Sequence, residues 1–189
     1  MKKALLIASV LFIAVISTAC INNIAVQELN NKAAEYMQKG DYESAMNRLQ
    51  ASIDLDSTMY ETYYNLGIAA TNAKKYDVAI DALESGIKLK PEHSNFYYSL
   101  GVAQSAYADA IIETNEYSEE KDELIEKKVS DEDKAKAEGL KITAIENLKK
   151  YLEMEPKAED KETVEALIKD CENFGKEVEP EQTKLIEAE

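Results

Sequence analysis

The feature that most constrains this chain is a pattern of apolar residues that repeats every 34 residues. In its clearest copy, residues 63–91, apolar side chains recur at helical spacing in two short segments on either side of a Lys-Lys-Tyr turn. Each segment predicts one half of an antiparallel helix pair. A pair this small cannot bury both apolar stripes alone, so the period predicts an array of stacked pairs.

A shift of one period superimposes like residues from neighbouring copies. The superimposed residues are Tyr42 on Tyr76, Ala45 on Ala79, Leu49 on Leu83, Ile53 on Ile87, Tyr97 on Tyr63, Leu100 on Leu66 and Gly101 on Gly67. Together with Pro91, these residues resemble the tetratricopeptide repeat (TPR). The resemblance implies an all-α fold: a short TPR-like α-solenoid of antiparallel helix pairs, with an extended third hairpin and a C-terminal capping helix.

The third copy of the repeat is interrupted. Its second half returns 31 residues late, at Ala144, Leu148 and Tyr151. Ser130 and Asp133 have the spacing of a helix N-cap, which predicts a helix running to about residue 155 and two lengthened helices around the insertion. The predicted segments are 1–19 signal peptide, 20–25 lipidated Cys and tether, 26–59 first repeat, 60–93 second repeat, 94–156 third repeat split by a charged helical insertion at about 114–136, 157–175 capping helix and 176–189 acidic tail.

The predicted capping helix has one apolar face, which includes Val164, Ile168 and Cys171. The end of a repeat array needs such a face to cover its exposed edge. Gly175 is placed to end this helix. With the other cysteine assigned to the N-terminal signal, Cys171 is predicted to be a buried, unpaired thiol.

The first twenty residues predict export. Two lysines, an apolar run and small residues up to Ala19 form a secretory signal peptide. Cys20 follows directly, which resembles a bacterial lipoprotein signal and implies acylation of that cysteine. Ser17 departs from the pattern, where an aliphatic residue is usual, and the same segment also fits cleavage that releases a soluble periplasmic protein. Ile21 after the cysteine implies an outer-membrane lipoprotein that faces the periplasm.

The acidic composition limits the possible partners. The formal net charge is −15, and becomes −17 once Lys2 and Lys3 are removed with the signal peptide. Nucleic acid and anionic lipid surfaces would be repelled. Basic or neutral polypeptides remain possible partners, although the charge is better explained by a solvated surface that keeps a helical protein soluble.

The residues offer little for catalysis. His93 is the single histidine, and no second ligand stands at metal-binding spacing from it. Phosphate-binding glycine loops and nucleophile motifs are absent from the sequence. We therefore predict that the protein is not an enzyme and has no cofactor, no metal and no small-molecule substrate.

The TPR resemblance implies a concave groove lined by the first helix of each repeat. The predicted peptide-groove residues are Asn30, Met37, Glu61, Tyr64, Ile68, Asn72, Asn95, Tyr98 and Val102; the other facing positions are Gln27, Ala34, Gln38, Thr71, Ser105 and Ala106. Tyr64 and Tyr98 are equivalent, and either contact a ligand or pack between helices. Tyr63 and Tyr97 are predicted to pack.

Some TPR co-chaperones hold a C-terminal carboxylate in a clamp of cationic and amide side chains. Only Asn65 matches that clamp here. Asn30, Ala34, Asn95 and Ser99 stand where Lys, Asn, Lys and Arg would be. The sequence therefore predicts a groove that does not use this clamp.

Two functions fit this organisation. The first is a lipid-anchored cell-envelope adaptor that binds a polypeptide partner through the groove, in assembly or support of an envelope complex. The alternative is a structural subunit or homo-oligomer that uses Leu124, Ile125 and Val129 of the insertion as its contact. The identity of the partner is left open.

Overall fold

The computed structural model describes residues 23–113, 115–118, 123–126 and 129–175. The predicted signal peptide, Cys20 and the acidic tail lie outside the described residues. In chain order the elements are α1 (residues 23–38), α2 (Tyr42–Leu55), α3 (Tyr60–Asn72), α4 (Tyr76–Leu89), α5 (Ser94–Ile112), β1 (Asn115–Ser118), β2 (Glu123–Glu126), α6 (Asp131–Met154) and α7 (Lys161–Asn173).

The first two helix pairs are joined by the same turn. Gly40 and Lys74 stand 34 residues apart and both have a positive φ, of 75° and 56°. The residue after each donates its amide to the helix before it, Asp41 to the Tyr36 carbonyl at 3.0 Å and Lys75 to the Ala70 carbonyl at 2.8 Å. Such bonds satisfy carbonyls that a helix end leaves without a partner.

Glycines set how closely the helices approach. A Cβ on Gly67 would collide with the Leu83 side chain, and one on Gly101 would lie 2.7 Å from the Leu148 side chain. Gly67 with Leu83 joins α3 to α4, and Gly101 with Leu148 joins α5 to α6. Beside α5, therefore, α6 takes the place that α4 takes beside α3.

Three clusters of buried apolar side chains follow one another along the array. The first cluster contains residues of α1, α2, α3 and α4, and the second contains residues of α3, α4 and α5. The third contains residues of α6 and α7 together with partly buried residues of α5. Phe96 is fully buried in the second cluster. Because each cluster lies between neighbouring helices, the array is a solenoid, and the predicted fold class is confirmed.

The third hairpin is lengthened at the C-terminal end of α5 and the N-terminal end of α6. α5 has 19 residues and α6 has 24, against 13 and 14 for α3 and α4. α6 begins directly after Ser130, whose hydroxyl accepts the Asp133 amide, as the sequence predicted. We call the parts beyond the repeat length, residues 107–112 and 131–140, the overhang.

The prediction of a helical insertion is wrong for residues 115–118 and 123–126. They form β1 and β2, which pair antiparallel with Asn115 opposite Glu126. The segment carries apolar residues at Tyr117 and at the Leu124-Ile125 pair, which is too few to give a helix an apolar stripe. A short antiparallel ladder satisfies its backbone groups without one.

α7 closes the array. Val164 is fully buried, Ile168 is 7% exposed and Cys171 is 4% exposed, all on the face toward the preceding helices. Gly175 follows the helix with a φ of 71°, as the sequence predicted for its end.

Candidate functional site

The nine predicted groove residues lie on α1, α3 and α5, all in the described part of the chain. Glu61, Asn72 and Asn95 are exposed. The half-buried ones are Asn30, Met37, Tyr64, Ile68, Tyr98 and Val102. On α3 and α5 the surface therefore combines half-buried apolar side chains with exposed polar ones.

Tyr64 packs between α3 and α5 and keeps part of its surface open. Its ring lies edge-on to the Phe96 ring, with centroids 5.4 Å apart and an interplanar angle of 85°. The His93 ring lies 5.9 Å away. Such edge-on contacts between aromatic rings are favourable. Contact with α5 therefore holds the Tyr64 ring in place.

Tyr98, the equivalent residue one repeat later, packs instead on the second helix of its own pair. Its ring centroid lies 5.3 Å from that of Tyr151 in α6. Tyr63 and Tyr97, which the sequence predicted to pack, are both half-buried. The Tyr97 hydroxyl donates to the Pro91 carbonyl at 3.1 Å. Tyr63 lines a depression of about 310 Å³ beside Val78.

On α1 the predicted residues contribute to packing. The Asn30 amide nitrogen donates to the hydroxyls of Ser52 at 2.7 Å and Thr62 at 3.1 Å, both fully buried. Asn30 therefore connects α1, α2 and α3. Met37 packs against the first apolar cluster. The open part of the predicted groove lies on α3 and α5.

An aromatic and charged cluster, absent from the sequence predictions, lies where the overhang passes the α3–α4 turn. Tyr76 and Tyr107 are stacked, with centroids 5.4 Å apart and an interplanar angle of 22°. The Tyr107 hydroxyl donates to Asp77 at 3.1 Å and accepts from Lys136 at 2.7 Å. This last hydrogen bond raises the pKa of Lys136.

A second cluster surrounds Lys141, which is 2% exposed. Its ammonium donates to the Ser105 hydroxyl at 3.0 Å and pairs with the exposed Asp109 carboxylate at 2.7 Å. The Phe174 ring lies below it, 5.0 Å from centroid to Nζ. The Cys171 thiol donates to the same Ser105 hydroxyl at 3.4 Å. A buried ammonium requires such partners, so α5, α6 and α7 meet here around one charge.

The repeat alignment carried a signal for Lys141 that the sequence analysis did not use. Lys141 occupies the position of Tyr42 and Tyr76 in the first two repeats, if the alignment of Ala144 with Ala79 is extended by three residues. A charged residue at a position that is otherwise aromatic indicates a local change of packing.

The described residues contain no group of three or more His, Cys, Asp or Glu side chains that could hold a metal ion. Within the same residues no helix is long and apolar enough to cross a bilayer.

Comparison with protein families identifies the repeats. The family model described as "TPR repeat" matches residues 33–70, and the one described as "Tetratricopeptide repeat" matches residues 60–93. Residues 60–93 are also the bounds that the 34-residue period gave for the second repeat. The chain therefore contains TPR repeats. Both models describe a repeat, and neither describes an enzyme family. A search of curated proteins found no match.

Solved TPR domains share the fold. The Sgt2 TPR domain from Aspergillus fumigatus is 15% identical, with a TM-score of 0.60 over 87% of this chain and 90% of that one. The second TPR domain of human RPAP3, in complex with an HSP70 peptide, is 14% identical, with a TM-score of 0.59 over 80% and 98%. The Yersinia enterocolitica secretion chaperone SycD, in complex with a peptide of the translocator YopD, is 19% identical, with a TM-score of 0.54 over 77% and 91%.

Proposed function

We propose that the protein is a lipid-anchored adaptor of the cell envelope that binds a polypeptide partner along α3 and α5. The observation that carries this proposal is the surface made by Tyr64, Ile68, Tyr98 and Val102. These side chains are half-buried on adjacent helices of a TPR array. Apolar and tyrosine side chains held by their neighbours lose little entropy on binding, which suits them to anchor a peptide.

The solved structures support a polypeptide as the ligand. Two of those similar in fold, human RPAP3 and SycD, are described in complex with peptides. The mode of binding differs from a carboxylate clamp in this proposal, because Asn95 and Ser99 replace the cationic residues of the clamp. Ser99 is also 4% exposed, so its hydroxyl is not placed to contact a ligand.

Two changes at exposed positions test the groove. Asn72→Trp and Asn95→Trp add bulk on α3 and α5, where both native side chains are exposed. Asn47→Trp is the matched control, since Asn47 is equally classed as exposed but lies on α2. In crosslinking pulldown from envelope extracts, we expect the two groove variants to lose the partner that wild type and Asn47→Trp retain. Unchanged capture by both groove variants would refute the groove assignment.

Tyr64 and Tyr98 provide a second test of the same surface. Because both rings also pack on a neighbouring helix, Tyr64→Ala/Tyr98→Ala is compared with wild type only after its unfolding midpoint has been measured. We expect capture to fall more than the change in stability can account for. Capture that simply follows the folded fraction would assign both tyrosines to packing.

The lipid anchor is proposed from Cys20 and the signal segment before it. Two or more acyl chains would hold the protein on a membrane far more firmly than a single chain. We expect radiolabelled palmitate to be incorporated into the wild type and not into Cys20→Ala. Labelling of neither protein would leave the soluble periplasmic form as the correct assignment, and equal labelling of both would show that the acyl group is not on Cys20.

A further inference from the structure

One edge of the array carries the loops that connect its helix pairs. α1, α3 and α5 begin there and α2, α4 and α6 end there, whereas the turns within the first two pairs and the overhang lie at the opposite edge. Neighbouring loops are in contact, since the Tyr60 ring lies 5.6 Å from the His93 ring and the Ser94 hydroxyl donates to Glu155 at 2.9 Å. We call this continuous surface the loop edge.

Exposed large apolar side chains are concentrated on the loop edge. Ile24 is 66% exposed, Leu55 is 44% exposed and Leu89 is 42% exposed. Leu55 and Leu89 are one repeat period apart, and each is the last residue of its helix. Within the described residues, the other large apolar side chains that are this exposed are Val78, at the opposite edge, and Ile142, within α6. The loop edge therefore presents three large apolar side chains that the fold leaves partly uncovered.

The proposed lipid anchor lies at the same edge. Residue 23 begins α1 and comes three residues after Cys20. Three residues span at most about 11 Å, because an extended chain covers about 3.3–3.6 Å per residue. A lipid on Cys20 would therefore keep the start of α1 next to the bilayer surface. The opposite edge is one helix length away, about 20 Å for the 13 residues of α3.

The charges of the loop edge fit a neutral lipid surface. Lys90 forms an ion pair with Glu92 at 2.7 Å, and the Asp56 carboxylate accepts the amide and the hydroxyl of Thr58. The chain as a whole has a net charge of −15, which opposes approach to anionic lipid. A zwitterionic lipid has no net charge, so apolar contact decides how closely this edge approaches it.

We propose that the loop edge lies on the bilayer that holds the anchor, with Ile24, Leu55 and Leu89 in contact with zwitterionic lipid. Apolar side chains at such a surface enter the boundary between headgroups and acyl chains, about 5–10 Å deep. The overhang then points away from the bilayer, and the groove along α3 and α5 runs outward from it. The inference rests on the anchor of the proposed function and specifies how the array is oriented on the membrane.

Quenching of a fluorophore by labelled lipid tests this orientation. The acylated full chain is placed in phosphatidylcholine vesicles that include phosphatidylcholine with a nitroxide on its headgroup. The fluorophore NBD is attached to the new thiol of Ser57→Cys, on the loop edge, or of Lys39→Cys, at the opposite edge; both positions are exposed. Cys171 is 4% exposed, so the chain without an added cysteine serves as the labelling blank. We expect quenching to be about twofold or more stronger at residue 57 than at residue 39.

Two further variants separate lipid contact from tethering alone. Leu55→Gln/Leu89→Gln keeps the anchor and removes two apolar contacts, and Val78→Gln is the matched control because Val78 is 41% exposed at the opposite edge. After circular dichroism has shown that both fold, we expect the double variant to lose about half of the excess quenching at residue 57 and Val78→Gln to keep it. Equal quenching at residues 57 and 39 in the wild type would overturn the inference, as would unchanged quenching in the double variant.

The other outcomes are also distinguishable. Fluorescence at residue 57 that falls with protein density and not with nitroxide lipid would assign the loop edge to contact between copies of the chain, and would overturn the inference. If the wild type incorporates palmitate but both probes are quenched equally, the anchor stands and the orientation is wrong. If it incorporates none, the anchor itself is wrong and the orientation fails with it. Partner capture by Asn72→Trp and Asn95→Trp tests the groove independently of both results.

Discussion

The second helix pair (α3 and α4) and the third (α5 and α6) share one glycine–leucine contact but differ in the interactions that hold their outer parts. Both are closed by a glycine against a leucine, Gly67 with Leu83 and Gly101 with Leu148. Beyond that shared part, α5 and α6 continue into the overhang. The repeated part of the fold is thus held by apolar contact, and the difference between the pairs lies in what holds the added length.

Polar contacts hold the overhang to its neighbours. Lys136 reaches Tyr107 within the overhang pair, and Tyr107 reaches Asp77 of the preceding pair. At its base, Lys141 connects α5 to α7 through Asp109 and Asp170, at 2.7 and 3.8 Å. The overhang also buries the small side chains of Ala108 and Ala137 completely, and the hydrogen bonds and charge pairs add to that apolar contact. Asp109 and Asp170 remain exposed to water, so their carboxylates lose little hydration when they pair with Lys141.

The largest expected effect tests the shared part. Leu83 and Leu148 are both fully buried against a glycine of the facing helix. We expect Leu83→Ala and Leu148→Ala each to lower the free energy of unfolding by about 2–5 kcal/mol, through lost burial and the cavity left behind. Urea unfolding followed by circular dichroism measures both.

Leu55→Ala is the control, because that side chain is 44% exposed, and its effect should be about 0.5 kcal/mol or less. A cost well below 1 kcal/mol for Leu148→Ala alone would mean that α6 does not fill the place of α4.

The next effect concerns Lys141. We expect Lys141→Ala to lower the free energy of unfolding by about 1–3 kcal/mol, since it takes the buried ammonium away from Ser105 and Asp109 and removes the packing of its stem. Lys141→Met keeps most of the stem and should cost less. The exposed pair of Lys149 and Glu172 provides the control, and Lys149→Ala should change stability by about 0.5 kcal/mol or less. Equal losses for the Ala and Met variants would assign the whole effect to the charge.

A smaller effect separates the overhang from the array. Ser130 caps α6 and Asp41 caps α2, each accepting a backbone amide of the first turn at about 3 Å. Either change to Ala should cost about 1 kcal/mol of helix stability. We expect Asp41→Ala to lower global stability, and Ser130→Ala to increase hydrogen exchange mainly in the first turns of α6. Global destabilisation by Ser130→Ala would show that the overhang unfolds together with the repeats.

The sequence predicted those parts of the fold that depend on local spacing. The 34-residue period predicted the antiparallel pair that α3 and α4 form, and the spacing of Ser130 and Asp133 predicted the start of α6. It did not predict β1 and β2. Charged residues dominate residues 114–128, and the choice between helix and hairpin there depends on backbone pairing that no apolar pattern records.

The site was predicted less completely, for a physical reason. The helical spacing places Tyr64 and Tyr98 on the same side of their helices. How far each ring is covered depends on a neighbouring helix, which supplies Phe96 of α5 in one case and Tyr151 of α6 in the other. The stack of Tyr76 on Tyr107 joins residues 31 positions apart, on helices whose lengths differ. Contacts of this kind depend on how the helix pairs stack on one another, and that geometry cannot be predicted from a single sequence.

The smallest effect appears only at alkaline pH, in the third pair. Tyr151 is 7% exposed and its hydroxyl donates to Asp160 at 2.8 Å. Burial, and then the bond to Asp160, raise its pKa from 10.0 to about 12. Because the folded state holds this proton more tightly than the unfolded state, its contribution to stability is complete below pH 10. It is lost as the pH rises from 10 to 12.

Tyr151→Phe removes this titration together with one hydrogen bond, which contributes about 0.5–1.5 kcal/mol. We therefore expect the variant to be less stable than wild type by a constant amount from pH 7 to pH 9, and the gap to narrow between pH 10 and 12. Urea unfolding of both proteins at each pH measures it. A gap that stays constant up to pH 12 would mean that Asp160 and burial do not hold the tyrosine proton. The third pair would then lack the coupling to α7 that distinguishes it from the second.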